Sequence, residues 1–485
     1  MTLSKARRPV AVAALLGLLA LALSVSTPTM ADAKSKPTDG SGGPAIAHKA
    51  GGKKVDYSGP RPDAKLSRLG VDSGEPTIGV GNNGWVYTSA IQTNTRVIVL
   101  RSKDQGKTWE DVSPNIGGKN THLLTLDPYT YVDNRLSDKD ASRIYTIDLT
   151  VDCSIMSYSD DNGESWITNP LACGRPVNDH QTLFGGPPKT SAPVGFENLV
   201  YYCWNDVATS SCSKSTTGGV TWTPTGSPAF AGVDSSEGGG FCGGLHGHGF
   251  VDTKGNVYLP RSYCGRPFLA ISKDEGLTWE TVQINNKAGE GDSDPNVAVD
   301  EKGNIYYMWT GFDRLPYLAT STDGGKTWSK PMMVGAPGVN ESNLPALDVG
   351  KPGHIALTYM GTDNGPNKPK YGRSCSEDDS CPADADYQDT TWNGYITVSY
   401  NALDKDPTFL TTTANDPKDP LLKGPCGPGR CTASGIFDFI DIVIGPDGSV
   451  WAPYVDECML ICVEGGPRMG KEGVVATLTN LKSMR

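Results

Sequence analysis

The residues best suited to chemistry in this chain are histidines and carboxylates that stand at the beginnings of predicted strands. Three of only six histidines belong to this set, namely His180, His246 and His248. His246 and His248 project from one face of a strand, because successive side chains of a strand alternate between its two faces. Such groups can transfer protons or bind a metal ion, and they can equally cap strands and bind channel water. The remaining members are Glu75, Asp127, Asp179, Gln181, Asp292, Asp294, Asn343, Asp438 and Asp441.

A second set of polar and aromatic residues stands at the ends of the predicted second strands and in the loops that follow them. Aromatic faces stack on the apolar CH faces of sugar rings, while arginine and carboxylate groups bind hydroxyls or an acid group. Together these residue types predict a carbohydrate ligand, although each residue alone is equally compatible with a position in the core. The set contains Trp204, Asp206, Arg261, Tyr263, Trp309, Arg314, Tyr359, Tyr454, Asp456 and Glu457.

A ten-residue repeat indicates which elements position these side chains. It occurs as SKDQGKTWED from Ser102, SDDNGESWIT from Ser159, STTGGVTWTP from Ser215, SKDEGLTWET from Ser272 and STDGGKTWSK from Ser321. The aspartate can accept hydrogen bonds from the following backbone amides, the glycine supplies a positive φ, and the tryptophan returns into the sheet as a buried anchor. The repeat therefore predicts a hairpin turn whose residues serve the fold rather than catalysis. The third copy has Thr217 at the aspartate position.

These segments resemble the Asp-box, or BNR, repeats of the sialidase superfamily. The resemblance implies that each repeat forms the turn between the third and fourth strands of a propeller blade. Strand-rich units lie at about 75–112, 127–171, 179–226, 245–284, 292–334, 343–414 and 433–481. They predict an all-β propeller with seven four-stranded blades, with six blades as the alternative. The 58 glycines and 35 prolines fit short strands joined by turns better than a helical fold.

The propeller geometry predicts where a functional site lies. If the repeats occupy one face of the disc, the starts of the first strands meet on the other face, at the mouth of the central channel. The loops after the second strands lie on that face too. For a glycosidase reaction there we predict Glu75, Asp294, Tyr263 and Glu457 as acid, base and nucleophile candidates. The substrate-binding candidates are Asp179, His180, His246, His248, Arg261, Trp309, Arg314 and Asp441.

The resemblance is incomplete in its catalytic motifs. Sialidases are known for three arginines that bind the substrate carboxylate, a tyrosine nucleophile assisted by a glutamate, and an aspartate acid/base. The Arg-Ile-Pro motif that occurs early in sialidases is missing here, and Gly74-Glu75-Pro76 stands in its place. Arg261 and Arg314 are candidates for two of the three substrate-binding arginines, and no third candidate is assigned. The whole pattern resembles secreted bacterial sialidase-like proteins through the segments GEPTIGV, DHQTLFGGPP, GLHGHGFV, SDPNVAVD and FDFIDIVIGPDGSV.

Three functions stay open for this sequence. The first is binding or hydrolysis of extracellular glycans at the channel mouth by carboxylates and a tyrosine, which requires no cofactor. The second is a polysaccharide lyase or metal-dependent enzyme in which His180, His246 and His248 act as base or as ligands of a divalent metal ion. The third is a binding propeller without catalysis.

The N-terminal region indicates export. Three basic residues, Lys5, Arg7 and Arg8, precede an apolar run from Val10 to Leu23, and small residues follow at a plausible cleavage position. The next segment is rich in glycine, proline and lysine and has almost no apolar periodicity. The predicted parts are therefore a signal peptide at 1–33, a disordered linker at 34–70 and the propeller at 71–485. We expect a secreted monomer that has no membrane contact after signal cleavage.

Cysteine usage and charge restrict the compartment and the partners. The twelve cysteines fall as near neighbours along the chain, which favours local disulfides formed in an oxidising environment. These neighbours are Cys153 with Cys173, Cys203 with Cys212, Cys242 with Cys264, Cys375 with Cys381, Cys426 with Cys431 and Cys458 with Cys462. A formal net charge of −11 disfavours nucleic acid and anionic membranes, and leaves extracellular carbohydrate as the expected partner.

Overall fold

The structure of this chain is a computed structural model that describes most of the sequence after residue 40. The described residues are 41–92, 96–115, 127–134, 142–149, 154–170, 179–206, 209–234, 240–241, 244–286, 289, 294–366, 384–426, 438–459, 462 and 470–485. The signal peptide expected at 1–33 lies outside them. No helix within these ranges is long and apolar enough to span a bilayer.

The described residues form seven antiparallel sheets with at least four strands each. Sheet 1 contains Ile78–Val80, Val86–Gln92, Arg96–Ser102 and Glu110–Asp111; sheet 2 contains Pro128–Asn134, Ser142–Leu149, Ser154–Ser159 and Ile167–Pro170; sheet 3 contains Asp179–Gly186, Leu199–Asn205, Ser210–Ser215 and Thr223–Pro224. Sheet 4 contains Phe250–Val251, Val257–Tyr263, Arg266–Ser272 and Glu280–Gln283; sheet 5 contains Asn296–Val299, Ile305–Thr310, Pro316–Ser321 and Met332–Met333. Sheet 6 contains Glu341–Val349, Ile355–Thr362, Thr391–Ser399 and Phe409–Thr413, extended by Leu422–Lys423, Ile46–Lys49 and Lys53–Lys54. Sheet 7 contains Val443–Ile444, Val450–Asp456, Glu472–Thr479 and Asp63–Asp72. A separate pair is formed by Val233–Asp234 and Gly240–Phe241, and a 3-10 helix spans Asp384–Tyr387.

The first strands of consecutive sheets contact one another in a closed cycle that runs from sheet 1 through sheet 7 and back. The predicted all-β propeller is thereby confirmed. Each sheet packs face to face against its neighbours, which buries both faces of the second strands. Every residue of Ile305–Thr310 is buried, including Tyr306 and Tyr307. This packing explains why second strands such as Leu199–Asn205 and Ile305–Thr310 carry aromatic and aliphatic residues on both faces instead of an alternating pattern.

Each of the five repeats forms the turn between the third and fourth strands of sheets 1 to 5, as the resemblance implied. In the fourth repeat Ser272 Oγ accepts a hydrogen bond from Gly276 N at 2.8 Å. Asp274 Oδ1 accepts one at 2.9 Å from the amide four residues later. In the third repeat Thr217 stands in place of the aspartate, and its Oγ1 accepts a hydrogen bond of 2.8 Å from the amide of Thr221. The structural role of the repeats is confirmed, although their tryptophans are partly exposed because they close the sheet ends next to solvent.

The N-terminal segment is folded from residue 41 onward, which corrects the prediction of a disordered linker at 34–70. Ile46–Lys49 pairs with Phe409–Thr413 at the outer edge of sheet 6, and Asp63–Asp72 pairs with Glu472–Thr479 in sheet 7. A strand that adds to an existing sheet edge gains backbone hydrogen bonds without needing large apolar side chains, so composition was misleading. The pairing in sheet 7 joins the N-terminal and C-terminal strands and closes the cycle.

Two of the predicted disulfides lie wholly within the described residues, and both are formed. Cys203–Cys212 joins the second and third strands of sheet 3, and Cys458–Cys462 closes the loop after the second strand of sheet 7. The sulfur atoms of Cys264 and Cys426 are also disulfide-bonded. The other predicted pairs include positions outside the described residues.

Candidate functional site at the axis of the sheets

The candidate site is built from residues that open the first strands of the sheets. Glu75 and His180 both have a φ of 46°, and the ladder of Asp179–Gly186 shifts register at its beginning. Such a shift re-aims the side chains at the end of a strand. A positive φ costs free energy in a non-glycine residue and persists where the surrounding contacts fix it. The backbone therefore turns both side chains out of the regular strand pattern.

Three carboxyl groups, those of Glu75, Asp127 and Asp438, lie together at this end of the axis. Glu75 Oε1 accepts a hydrogen bond from Asp438 N at 3.1 Å, and the Glu75 and Asp127 side chains are hydrogen-bonded to each other. Glu75 is 2% exposed, and burial, followed by the charges of Asp127 and Asp438, raises its pKa well above the usual range. Burial also raises the pKa of Asp127 and that of Asp438 to about 6. Because two carboxyl groups in contact do not both ionise readily, the Glu75–Asp127 pair retains a proton at neutral pH.

His180 is the cationic part of the site. Its Nε2 lies 2.9 Å from Asp294 Oδ2, and the two side chains are 1% and 8% exposed. Its backbone N–H donates to Asp127 Oδ2 at 2.9 Å. Burial alone would lower the pKa of His180, but the charges of Asp294, Asp127 and Asp438 raise it to about 9. At neutral pH the site therefore holds an imidazolium–carboxylate pair beside a protonated carboxyl pair.

The other two histidines of the predicted set, His246 and His248, belong to the same site. The ring centroids of His180 and His246 are 5.7 Å apart. Burial, followed by the charges of His180 and Arg261, lowers the pKa of His246 well below its usual value, so this ring is neutral. His248 Nδ1 lies 3.5 Å from Asp441 Oδ1, and its Nε2 has no hydrogen-bond partner among the described residues.

Phe439 packs against these rings and was missed by sequence reasoning. Its ring centroid lies 5.2 Å from that of His180, 5.4 Å from that of His248 and 6.4 Å from that of Tyr129. The ring is buried and excludes water, which strengthens the charge interactions around it. Its place in the segment FDFID, between two predicted site residues, was the signal that could have found it.

The exposed carboxylates define how a ligand can approach the site. Asp179 is exposed, and Asp438 and Asp441 are partly exposed, whereas Glu75 and His180 are buried. A ligand therefore meets negative charge before it reaches the protonated pair.

The two arginines predicted to bind substrate are occupied by protein groups and are buried. Arg261 donates from Nε to Gly244 O at 2.9 Å and from Nη1 to Ser210 Oγ at 3.1 Å. Arg314 Nη1 lies 2.8 Å from Glu341 Oε2, in an ion pair that is almost fully buried. Both guanidinium groups thus serve contacts within the protein in this structure.

Three further predicted residues are parts of the sheets or of their ends. Tyr263 is buried and donates from its hydroxyl to Ala231 O at 2.7 Å. Trp309 is buried and stacks on Tyr317, with ring centroids 5.6 Å apart. Glu457 is buried directly after the second strand of sheet 7. The positions of Tyr263 and Trp309 correct the expectation of an aromatic rim at the channel mouth, because both rings pack between sheets.

A second buried group at the start of sheet 6 was also missed by sequence reasoning. Tyr387 OH donates to Glu341 Oε2 at 3.0 Å, and the same oxygen pairs with Arg314. Tyr387 belongs to the 3-10 helix Asp384–Tyr387, in the long insertion of sheet 6.

No group of three or more histidine, cysteine or acidic side chains within the described ranges is arranged to hold a metal ion. His180 and His248 each face a carboxylate, and His246 Nδ1 lies 3.4 Å from Ser210 Oγ. The three imidazoles therefore have three different partners.

Known proteins match this chain in its repeats and its fold. The family model of the BNR/Asp-box repeat matches residues 319–330, within which the fifth repeat lies. No curated protein matches the sequence. Among solved structures, a protein of unknown function from Dyadobacter fermentans is 13% identical, with a TM-score of 0.39 over 85% of this chain and 98% of that chain. A sialidase from Streptococcus pneumoniae is 12% identical, with a TM-score of 0.41 over 63% of this chain and 68% of that chain. A lectin of Aleuria aurantia, described as a six-bladed propeller, is 12% identical, with a TM-score of 0.39 over 68% of this chain and 93% of that chain.

These structural likenesses are too distant to carry a functional argument. The five Asp-box turns, the match of one of them to the BNR/Asp-box repeat and the cyclic order of the sheets show a β-propeller that carries BNR/Asp-box repeats.

Proposed function

We propose that the protein is secreted and hydrolyses extracellular glycans, with the group at the axis as its acid–base centre. The observation that carries this proposal is the presence of a protonated carboxyl pair, Glu75–Asp127, beside a charged pair, His180–Asp294, in one buried site. Secretion is supported by the disulfides of sheets 3 and 7, which persist in oxidising compartments.

Glycoside hydrolysis uses one carboxylic acid to protonate the leaving oxygen and one carboxylate to attack the sugar or to activate water. Glu75 suits the first role, because burial and its acidic neighbours keep it protonated. Asp294 suits the second role, because its carboxylate carries the charge that balances the imidazolium of His180. His180 would then position Asp294 rather than react itself.

The charges along the approach favour a neutral or amine-bearing glycan over an acidic one. The exposed or partly exposed groups are Asp179, Asp438 and Asp441, while Arg261 and Arg314 are buried. An acidic sugar would meet charge of its own sign and no exposed counter-charge from these two arginines. The proposed substrates thus differ from the carboxylate-bearing substrate that the sialidase resemblance implies.

A second candidate function, a histidine-centred lyase, is favoured by the Asp441–His248 pair. Asp441 Oδ1 lies 3.5 Å from Nδ1 of His248, and the other ring nitrogen, Nε2, has no hydrogen-bond partner among the described residues and is the nitrogen proposed as the base. Abstraction of a proton from a uronate needs such a base, but it also needs a positive group beside the uronate. The acidic approach supplies the opposite charge, so hydrolysis remains the first proposal.

We also propose that the seven sheets are seven blades of one ring. The cycle of contacts between first strands runs through all seven sheets, which supports this number. A six-bladed ring, the alternative from the sequence, would require one sheet to lie outside that cycle.

The test is a glycan-release assay with the purified mature protein on neutral, amine-bearing and acidic oligosaccharides. Because general acid catalysis contributes about 10²–10⁴-fold, we expect Glu75→Gln to reduce kcat by that order. The matched control is Asp300→Asn, which changes an equally buried carboxyl group at a turn on the other face. Turnover by the wild type that Glu75→Gln leaves unchanged would contradict the acid role. Retained glycan binding without any turnover would reduce the function to binding.

A further inference from the structure

A polar cleft of 460 Å³ lies between sheets 1 and 2. One wall is the short strand Glu110–Asp111 with the residues that follow it, and the other is the turn of the second repeat. The cleft is on the face of the repeat turns, because the end of a third strand and the start of a first strand lie at opposite ends of an antiparallel sheet. It is therefore separate from the site at the axis.

A buried arginine forms the floor of this cleft. Arg101 is 2% exposed and donates from Nε to Glu110 Oε1 and from Nη2 to Glu164 Oε1, at 2.8 Å each. Its Nη1 donates to Asn162 O in the second repeat. Lys103 Nζ lies 2.9 Å from Glu110 Oε1. The contacts with the two glutamates all use Oε1, so Oε2 of each glutamate can accept a hydrogen bond from a ligand.

Trp166 contributes a fixed aromatic surface to the same cleft. Its Nε1 donates to Val112 O of the neighbouring sheet at 2.7 Å, and its ring remains partly exposed. In the third and fifth repeats, Trp222 and Trp328 instead donate to carbonyls of their own turns. A rigid, partly exposed indole beside oriented hydrogen-bond acceptors provides the two kinds of contact that a sugar ring uses.

The charges in the cleft nearly cancel. Arg101 and Lys103 are positive, whereas Glu110, Asp111 and Glu164 are negative, which leaves one net negative charge. A small ion therefore gains little here, whereas a neutral ligand with several hydroxyl groups can use every acceptor. We propose that this cleft is a second binding site, which takes a neutral sugar residue stacked on Trp166 and hydrogen-bonded to Glu110 and Glu164.

A purely structural role explains only part of the arrangement. Arg143 of sheet 2 fastens the next pair of sheets in a similar way, since it donates to Gly218 O and pairs with Asp160. The contacts of Arg143 involve only one carboxylate, that of Asp160 from the same sheet. A second carboxylate across the cleft is therefore not needed to hold two neighbouring sheets together. The Glu164 carboxylate, 65% exposed, is the added element that the sugar site explains.

The fourth repeat supplies a control within the same chain. Lys273 and Glu280 lie 3.2 Å apart and correspond in sequence to Lys103 and Glu110. Ile271, however, stands at the position of Arg101. The fourth repeat therefore has the exposed ion pair without the buried cation that orients the carboxylates.

The test is binding of the purified mature protein to an array of neutral monosaccharides and oligosaccharides, followed by titration calorimetry with the best ligand. We expect the double variant Glu110→Gln/Glu164→Ala to weaken that binding at least tenfold, about 1.4 kcal/mol. Glu280→Gln should bind as the wild type does, and thermal unfolding of each variant verifies that the fold is retained. Asp300→Asn, which changes a buried carboxyl group outside both sites, should also bind normally.

Two results would overturn the proposal. One is binding of a neutral glycan that the double variant leaves unchanged, because the ligand would then lie elsewhere. The other is the failure of every neutral glycan on the array to bind the wild type. In that second case, stabilisation of the wild type by Ca²⁺ that is lost in the double variant would assign the cleft to a cation instead.

Discussion

Replacement of Asp294 by asparagine tests the electrostatics of the axis site most sharply. Asp294 is the strongest of the groups that raise the pKa of His180 to about 9. When the charge of Asp294 is removed, burial becomes the main influence on the pKa of His180. The same influence lowers the pKa of His246 well below the usual value. We therefore expect the imidazole of His180 in Asp294→Asn to titrate far below pH 9, so that it is mostly neutral at physiological pH.

The magnitude follows from the pKa of His180. A rise from 6.5 to about 9 corresponds to about 3.4 kcal/mol, at 1.36 kcal/mol per pKa unit. Because the folded-state pKa is raised, this stabilisation is fully present below pH 6.5 and is lost as the pH rises through about 9. Asp127 and Asp438 still favour the cation in the variant, so the expected loss at pH 7 is at most about 3 kcal/mol.

The assay is NMR of ¹³C-labelled histidine, which is practicable because the chain has six histidines. Urea unfolding of the same proteins between pH 6 and pH 9.5 gives the free energy of unfolding, whose decline with pH should flatten in Asp294→Asn. Asp441→Asn is the control, since it changes a carboxylate beside His248 and should leave the titration of His180 near pH 9. A pKa of His180 that stays near 9 in Asp294→Asn, or that lies below 7 in the wild type, would refute the reasoning.

Three further expectations follow from the fold and from the buried acids. Asp274→Ala should lower the free energy of unfolding by about 1 kcal/mol in urea titrations, through lost hydrogen bonds in the repeat turn. Asp274→Thr should lose less, as Thr217 shows in the third repeat; equal losses would contradict this view of the turn. Deletion through residue 72 should lower the melting temperature in calorimetry far more than deletion through residue 61, because only the longer deletion removes the closing strand Asp63–Asp72. Similar effects of the two deletions would argue against closure by that strand. The raised pKa of Asp127, about 6, means that its stabilisation is present below pH 3.8 and lost as the pH rises through 6. Asp127→Asn should therefore reduce the fall in the free energy of unfolding between pH 4 and pH 7, measured by urea unfolding. An unchanged fall would show that Asp127 is not its source.

The repeats made the fold and much of the site predictable from sequence. Each Asp box fixes the end of a third strand, which sets the register of the preceding strands and hence the position of the first-strand starts. Glu75, His180, His246 and Asp294 were selected by that logic, and the structure brings them together. Such a periodic local pattern predicts the fold well because every sheet has the same order of strand connections.

The remaining features depend on contacts that no local pattern reveals. The N-terminal strands pair with sheet edges hundreds of residues away, and their few apolar residues, such as Ile46 and Leu69, form no clear strand pattern in the sequence. Tyr387 contacts Glu341 from a long insertion, so nothing in the local sequence around either residue predicts their contact. Trp309 was assigned to a rim because aromatic residues suit sugars, but packing between neighbouring sheets uses the same residue type.

The most direct test of the proposed function is the pH dependence of glycan hydrolysis by the wild type and Glu75→Gln. If Glu75 is the general acid, kcat of the wild type should fall at high pH as the Glu75–Asp127 pair loses its proton. Glu75→Gln should lose about 10²–10⁴-fold in kcat and the alkaline limb of the profile with it. Hydrolysis by Glu75→Gln at the rate of the wild type, with the same alkaline limb, would contradict the proposed acid–base centre.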